Sequence, residues 1–325
     1  MASTNRLKRW ILPIALALVL LLAIASTAVW TIACQRLEAD ARTLAAANGW
    51  SLEAGPARWR GWPVAAEIDL PNVALRAGPT LPPLVWTAPQ ARLRIALLHP
   101  TLLTATGFGQ QAIGLAGAPA VPFTAKDLHV VIDLTGADPV RAEFAGLDAA
   151  TPAGPVRVDA GTLGFSPGGL QADLAGIALP DGSRSIEPAI DAVRFTLRIE
   201  PPFPPAPDPS ARARLWRAQN GRIEVTSAAL TWAAMTATGH ATLTLDPALQ
   251  PVLAGEVRET GLDPTLDTLA QTGAISPTAA LAAKAMLAIL AAPAGAGPVT
   301  LPVALQDGVL SVARIPLLRL APLVW

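Results

Sequence analysis

The residue types that most often bind metals or act in catalysis are few in this chain and stand apart. The three histidines are His99, His129 and His240, and none has Cys, Asp or Glu beside it at metal-ligand spacing. The single cysteine, Cys34, excludes an intramolecular disulfide. We therefore predict no metal site and no cofactor, and we assign the histidines structural roles.

Serine nucleophiles and phosphate-binding loops also lack their usual sequence context. Ser166 and Ser183 lie in turn sequences without the Gly-x-Ser-x-Gly elbow. The glycine segments 107–109 and 164–169 lack the lysine and the strand-loop-helix setting of a phosphate cradle. Glu67 and Asp69 alternate as the solvent face of a strand does. The sequence predicts no catalytic residue and a protein that is not an enzyme. A hydrolase that uses dispersed carboxylates stays open as a third hypothesis.

Tryptophan is the residue type whose placement points to binding. Trp50, Trp59, Trp62 and Trp86 crowd the first part of the chain after its apolar start, and the chain has no tyrosine. Four indoles can line an apolar groove, or they can form a core close to a membrane. We name these four as candidate ligand-binding residues and keep the core as the alternative.

Composition limits the partners and the fold. With 24 basic and 24 acidic residues the chain carries no net charge, so nothing gathers a phosphate backbone and we expect no nucleic-acid partner. The 325 residues are enough to bury a sizeable core. The 32 prolines and 25 glycines interrupt the chain too often for many long helices, which favours short strands and turns.

The elements begin with a membrane anchor at residues 11–33, an uncharged apolar stretch longer than the roughly 20 residues that cross a bilayer. Trp10 and Trp30 are separated from each other by about 30 Å along a helix, so we predict that they lie at the two membrane interfaces. Basic residues concentrate in the preceding segment, 1–10, which places that segment in the cytoplasm and the bulk of the chain outside it. Cleavage as a signal peptide and lipid attachment at Cys34 remain alternatives.

The remainder is predicted to be mainly β with some α. Residues 34–49 have helical spacing and continue the anchor as a stalk. Short apolar runs then alternate with Pro, Gly, Asp and Asn, which indicates a large antiparallel sheet or sandwich-like domain. We predict strands at 66–70, 92–97, 127–134, 156–165, 170–179, 189–200, 221–231, 237–245, 252–258, 299–305 and 309–315.

A proline-rich connector at 201–210 divides this β-rich part into two predicted subdomains, 50–200 and 211–325. One helical insertion near 262–290 interrupts the second subdomain. It contains Asp263-Pro264 as a helix start and Ser276-Pro277 as a second start.

Several motifs follow one another in a fixed order: the anchor and stalk, Gly49-Trp50, 59–63 (WRGWP), 85–89 (VWTAP) with His99-Pro100, 239–246, 262–290, and the ending that contains 306–310 and 314–317. In this order of motifs the chain resembles the family of alphaproteobacterial envelope proteins known as domain of unknown function 2125. The resemblance covers nearly the whole chain and implies an inner-membrane protein facing the periplasm, with no assigned reaction. Its long strands are also similar to the repeated sheets of larger anchored envelope proteins that handle lipid.

Our leading hypothesis is therefore a periplasmic β-rich domain, anchored in the inner membrane by one span, that binds lipid or another apolar ligand. The alternative is a non-catalytic envelope scaffold or assembly partner that recruits another envelope protein through a sheet edge or through Pro201–Pro209.

Overall fold

The computed structural model describes residues 4–47, 49–77, 84–115, 119–135, 140–152, 154–166, 168–181, 184–185, 189–204, 206, 208–271, 273, 276–291, 298–313 and 315–323. Ser183 and Arg314 lie outside them. The helices are α1 (Thr4–Ala47), α2 (Pro209–Ala218), α3 (Leu262–Gln271) and α4 (Pro277–Ala291). The strands are β1 (Trp50–Glu53), β2 (Arg58–Arg60), β3 (Ala65–Ala77), β4 (Leu84–Ala96), β5 (His99–Phe108), β6 (Gln111–Leu115), β7 (Val121–Asp133), β8 (Val140–Thr151), β9 (Gly154–Ser166), β10 (Gly169–Ala178), β11 (Pro180–Asp181), β12 (Arg184–Ser185), β13 (Ile190–Glu200), β14 (Arg222–Trp232), β15 (Met235–Leu245), β16 (Pro251–Thr260), β17 (Val299–Gln306), β18 (Val309–Val312) and β19 (Ile315–Arg319).

Helix α1 is one uninterrupted helix of 44 residues. Its part from Leu20 to Ala47 is long and apolar enough to cross a membrane. The large apolar side chains from Leu20 to Ile32 mostly point away from the rest of the protein, whereas Cys34 and Leu37 are buried against the sheet. The helix therefore changes its environment from exposed to packed within about one turn after Ile32.

Seventeen strands form one antiparallel sheet, and β11 and β12 form a small hairpin beside it. The sheet is a meander. From β3 onward, each place in the sheet is hydrogen-bonded to the place filled next along the chain. β1 and β2 share the first edge, both pairing with β3, and β5 and β6 share one position between β4 and β7. This confirms the predicted fold class, mainly antiparallel β with an N-terminal helix.

The register of the strands places apolar residues on one face of the sheet and polar residues on the other. One row of directly opposed residues crosses the sheet from β3 to β17 and consists of Ile68, Leu93, Ala105, Val130, Ala142, Leu163, Ala172, Phe195, Ala228, Gly239, Val257 and Leu301. The adjacent row consists of Asp69, Arg92, Thr106, His129, Glu143, Thr162, Asp173, Arg194, Ala229, Thr238, Arg258 and Thr300. Because neighbouring residues of a strand point to opposite faces, the sheet has one apolar and one polar face.

Residues with positive φ bend several strands and keep apolar side chains on one face. Asn72, Gly146 and Gly176 have φ of 52°, 56° and 62°. Each stands between two apolar residues, one two positions before it and one directly after it. These pairs are Leu70 and Val73, Phe144 and Leu147, and Leu174 and Ile177. The left-handed residue reverses the alternation of the strand, so both partners stay on the apolar side, where Leu70, Val73 and Ile177 are buried.

The helical insertion predicted near 262–290 is confirmed as α3 and α4. Ser276 accepts from the backbone N–H of Ala280, and Lys284 of α4 forms ion pairs with Asp267 (2.6 Å) and Asp263 (3.3 Å) of α3. The two ion pairs hold α3 and α4 together, and α3 packs on β15.

Helix α2 follows the predicted connector 201–210. Asp208 caps it by accepting from the backbone N–H of Ala211 at 2.7 Å, with proline at the first turn. Trp216 of α2 donates to the carbonyl of Pro201 and packs on Phe203, so the described start of the connector lies against this helix. β13 and β14, on either side of the connector, are hydrogen-bonded neighbours. The two-subdomain division stays a prediction.

Candidate functional site

The apolar face is a continuous surface of one chemical character that crosses the sheet from β3 to β17. Helix α1 packs on β1 and β3 at one end, and α2 and α3 pack on β15 toward the other. Between them, on β7 to β14, most apolar side chains of this face are only half buried, and Phe165 is 44% exposed. Exposed apolar area of this extent is typical of surfaces that bind a partner, a ligand or a lipid.

Three tryptophans join α1 to the sheet. The indole N–H of Trp30 donates to the carbonyl of Arg60 at 3.0 Å, and its ring meets Trp59 edge to face at 6.3 Å. Trp62 donates to the hydroxyl of Thr27 at 3.2 Å, and Trp59 donates weakly to Glu38. The structure therefore brings Trp59 and Trp62, two of the four candidate ligand-binding residues, to the junction of helix and sheet.

The other predicted tryptophans lie in different surroundings. Trp86 packs against the core beneath α1 and donates to Gln111, whose side chain is fully buried, at 3.0 Å. Trp50 is half buried on β1, opposite Ala77. Trp10 belongs to α1, but its side chain lies outside the described residues. The four candidates thus occupy three places, and their part in ligand binding stays a prediction.

One carboxylate interrupts the apolar face, at its α3 end. Glu259 is on the same side of β16 as Val257, faces Ala237 and Val299, and is only 6% exposed. Its oxygen Oε2 has no hydrogen-bond partner, while the backbone N–H of Leu262 at the start of α3 binds the carboxylate. Burial raises the pKa of Glu259, because removal from water disfavours the charged form more than the hydrogen bond from Leu262 favours it.

A glutamine at this position is expected to change how stability depends on pH. A raised pKa in the folded state means that the contribution of Glu259 is present at acid pH and is lost as pH rises above its ordinary range. The free energy of unfolding of Glu259→Gln should therefore fall less than that of the wild type between acid and neutral pH. Chemical denaturation across this range measures it, with Glu256→Gln, an exposed residue of the same strand, as control. Parallel pH profiles for wild type and Glu259→Gln would contradict it.

The polar face carries ion pairs in the register already described. Asp69 is buried between Arg60 (2.8 Å) and Arg92 (2.7 Å), and the hydrogen bond from Arg92 lowers the pKa of Asp69. His129 lies between Asp127 and Glu143, at 3.5 and 3.3 Å. No group of three or more possible metal ligands occurs among the described residues. This face has the chemistry of a solvated, salt-bridged surface.

The best-formed depressions of the described part of the chain are open and shallow. One lies around Gln171 and Thr196, and the other around Phe123 and Ala149. Neither is lined by a histidine or a cysteine. The continuous apolar face is therefore the strongest candidate for the functional site.

Sequence reasoning missed three parts of this surface. The reversal of alternation at Asn72, Gly146 and Gly176 has a signal, the spacing apolar-x-(Asn/Gly)-apolar, which occurs in three strands. Strands β5, β6 and β8 were not predicted, although β8 contains the apolar pair Phe144 and Leu147. The position of Glu259 has no signal in the sequence, because only the register of β16 places it on the apolar face.

Comparison with protein families gives one match. The model of the family described as "Uncharacterized protein conserved in bacteria (DUF2125)" matches residues 30–321, which begin at the tryptophan where α1 meets the sheet and include β1 to β19. No curated protein and no solved structure matches the chain. Since the match covers most of the sequence, the chain belongs to this family, as its motifs indicate.

Proposed function

We propose that this protein is an inner-membrane-anchored periplasmic protein that binds lipid acyl chains along the apolar face of its sheet, without catalysing a reaction. The observation that carries the proposal is the uninterrupted apolar row from Ile68 to Leu301. A row of this kind usually belongs to a core, yet on β7 to β14 four of its six side chains, those of Val130, Leu163, Phe195 and Ala228, are only half buried.

The dimensions suit an acyl chain. Neighbouring strands are about 4.8 Å apart, so the uncovered strands from β7 to β14 offer a track of about 24 Å across the sheet. One leaflet of a hydrocarbon core about 30 Å thick needs chains of about 15 Å, which this track accommodates. Removing apolar surface from water is favourable by about 25 cal/mol per Å². An acyl chain that lies on the apolar face therefore stabilises the complex, because both the chain and the face lose contact with water.

The absence of charge along the track also favours a lipid over a protein partner. No residue of the apolar row is charged from β7 to β17, and Glu259, on the same side of β16, is buried at the α3 end. Interfaces between proteins usually contain polar groups that fix the register of the partner. A uniformly apolar surface instead suits a ligand without hydrogen-bonding groups along its length.

Photocrosslinking in cells tests this proposal with neighbouring residues of β13. Phe195 belongs to the apolar row, and Arg194 is exposed on the polar face, where it pairs with Asp173 at 2.8 Å. A photoreactive phenylalanine analogue at position 195 of the full chain should form a phospholipid adduct in cells labelled with radioactive phosphate, and the same analogue at position 194 should not. No adduct at position 195, or equal adducts at both positions, would overturn the proposal.

A scaffold remains the second candidate, and one observation favours it. In the described part of the chain, β19 pairs only with β18 and leaves its other side open to strand addition. If a photoreactive residue in β19 captured a protein and the one at position 195 captured no lipid, the scaffold would be the better account.

A further inference from the structure

Helix α1 fixes how deep one end of the sheet lies relative to a membrane. Leu20, Ile24, Val29 and Ile32 are all exposed by more than half, as lipid-facing residues of a span are, and packing on the sheet begins with Trp30. From the sequence, Trp30 is predicted to lie at the membrane interface at the C-terminal end of the span. Parts of the sheet that contact α1 before Trp30 must therefore lie at or below this interface.

The loop between β2 and β3 makes such a contact. Trp62 reaches back to Thr27 with its indole N–H, and Thr27 precedes Trp30 by three residues, or about 4.5 Å along the helix axis. Half of Trp62 (51%) is nevertheless exposed. Its ring thus lies beside the lipid-facing side of α1 at the depth where tryptophan is most favoured in a membrane.

Two further apolar side chains extend this loop. Val64 is 67% exposed, and its carbonyl accepts from the backbone N–H of Leu97 at 3.1 Å. This bond brings the turn between β4 and β5 alongside, and Leu98 in that turn is 88% exposed. Neither 61–64 nor 97–98 contains a charged residue. We call Trp62, Val64 and Leu98 the rim.

Arg60 complements the rim on its water side. Its side chain is 58% exposed while it pairs with Asp69, and its carbonyl binds Trp30. A guanidinium two residues before Trp62 is placed to meet lipid phosphate groups, because long basic side chains extend from an apolar surface toward the headgroups.

We propose that the rim inserts into the periplasmic leaflet of the membrane that α1 spans, so that the first strands of the apolar face stand at the level of the acyl chains. The occupant of this surface is the lipid bilayer itself. The inference rests on the proposed anchoring of α1. To the proposed lipid binding it adds the rim as the place where lipid passes between the bilayer and the sheet.

Fluorescence quenching in liposomes tests the rim on the full chain. Cys34→Ala removes the only native thiol, and Leu98→Cys then carries a nitrobenzoxadiazole label in vesicles of phosphatidylcholine and phosphatidylglycerol. The control is Leu281→Cys, because Leu281 is also a largely exposed leucine (70%) but belongs to α4, which packs on α3 next to β15, whereas Leu98 lies between β4 and β5. We expect blue-shifted emission and several-fold stronger quenching by nitroxide-labelled lipid at position 98 than at position 281.

The outcomes separate the rim from the anchor. If the protein floats with the vesicles but the label at position 98 shows water-like emission and no more quenching than at position 281, the rim proposal is overturned and the anchor stands. If the protein does not float with the vesicles, both fail. Val64→Cys gives a second reading of the same surface, so a failure of one labelled variant to fold leaves the test intact.

Discussion

Phe165→Asp is expected to lower the yield of phospholipid adduct at position 195 by about tenfold. Phe165 lies on the apolar face opposite Leu170, which in turn faces Leu197 on the strand that carries the photoreactive residue. Losing a half-covered aromatic contact costs about 1.4 kcal/mol of binding, which corresponds to a factor of ten, and the carboxylate adds a desolvation cost. Because Phe165 is already 44% exposed, the substitution should leave the fold intact.

Ser166→Asp is the matched control for this experiment. Ser166 is the next residue of β9, is exposed, and points to the other face. The same charge placed there should leave the adduct yield unchanged. Equal yields for Phe165→Asp and the wild type would show that this part of the face does not contact lipid. Equal losses in both variants would attribute the effect to the added charge and not to the apolar track.

Gly176→Ala is expected to destabilise the protein by about 2 kcal/mol, since a left-handed residue with a Cβ costs about 1–2 kcal/mol and steric strain adds to it. Gly176 has φ of 62°, and a Cβ built there meets the carboxylate of Asp159 on β9. The midpoint of thermal unfolding of the full chain in detergent should fall by about 4–8 °C.

Gly164→Ala provides the comparison for Gly176. Gly164 belongs to a neighbouring strand, and a Cβ there would touch only Gln171 at 3.8 Å, an ordinary contact. Its free energy of unfolding should stay within about 0.5 kcal/mol of the wild type, as is usual for substitutions that introduce no strain. If the two alanine variants unfold at the same temperature, the bend at Gly176 does not depend on glycine.

The class of fold was predictable because its signals are local. Alternation in runs such as Arg92–Leu97 and turn residues between them indicate antiparallel strands, and Ser276-Pro277 marks the start of α4. The register was not predictable, because it depends on which strands become neighbours. Only the register shows that the apolar halves of all these strands form one continuous face.

The candidate site was harder to predict for a physical reason. Tryptophan attracts attention as a large amphipathic side chain, but Trp30, Trp59 and Trp62 serve the joint between helix and sheet. The proposed binding surface is built from common residues such as Leu163, Ala172 and Phe195, none of which is distinctive alone. Helix α2 was hidden because the Pro-rich run before it reads as extended, although Asp208-Pro209 is a helix start.

The meander has a consequence for how the polypeptide reaches its native state. Since each position of the sheet pairs with the one before it along the chain, with β1 and β2 sharing one position and β5 and β6 another, each new ladder can close as soon as the next strand has been synthesised. Nothing in the described ladder order requires a late segment to be inserted between two early ones. With the first helix anchored as we propose, the sheet can thus assemble outward from the membrane, each new strand using the previous one as its template.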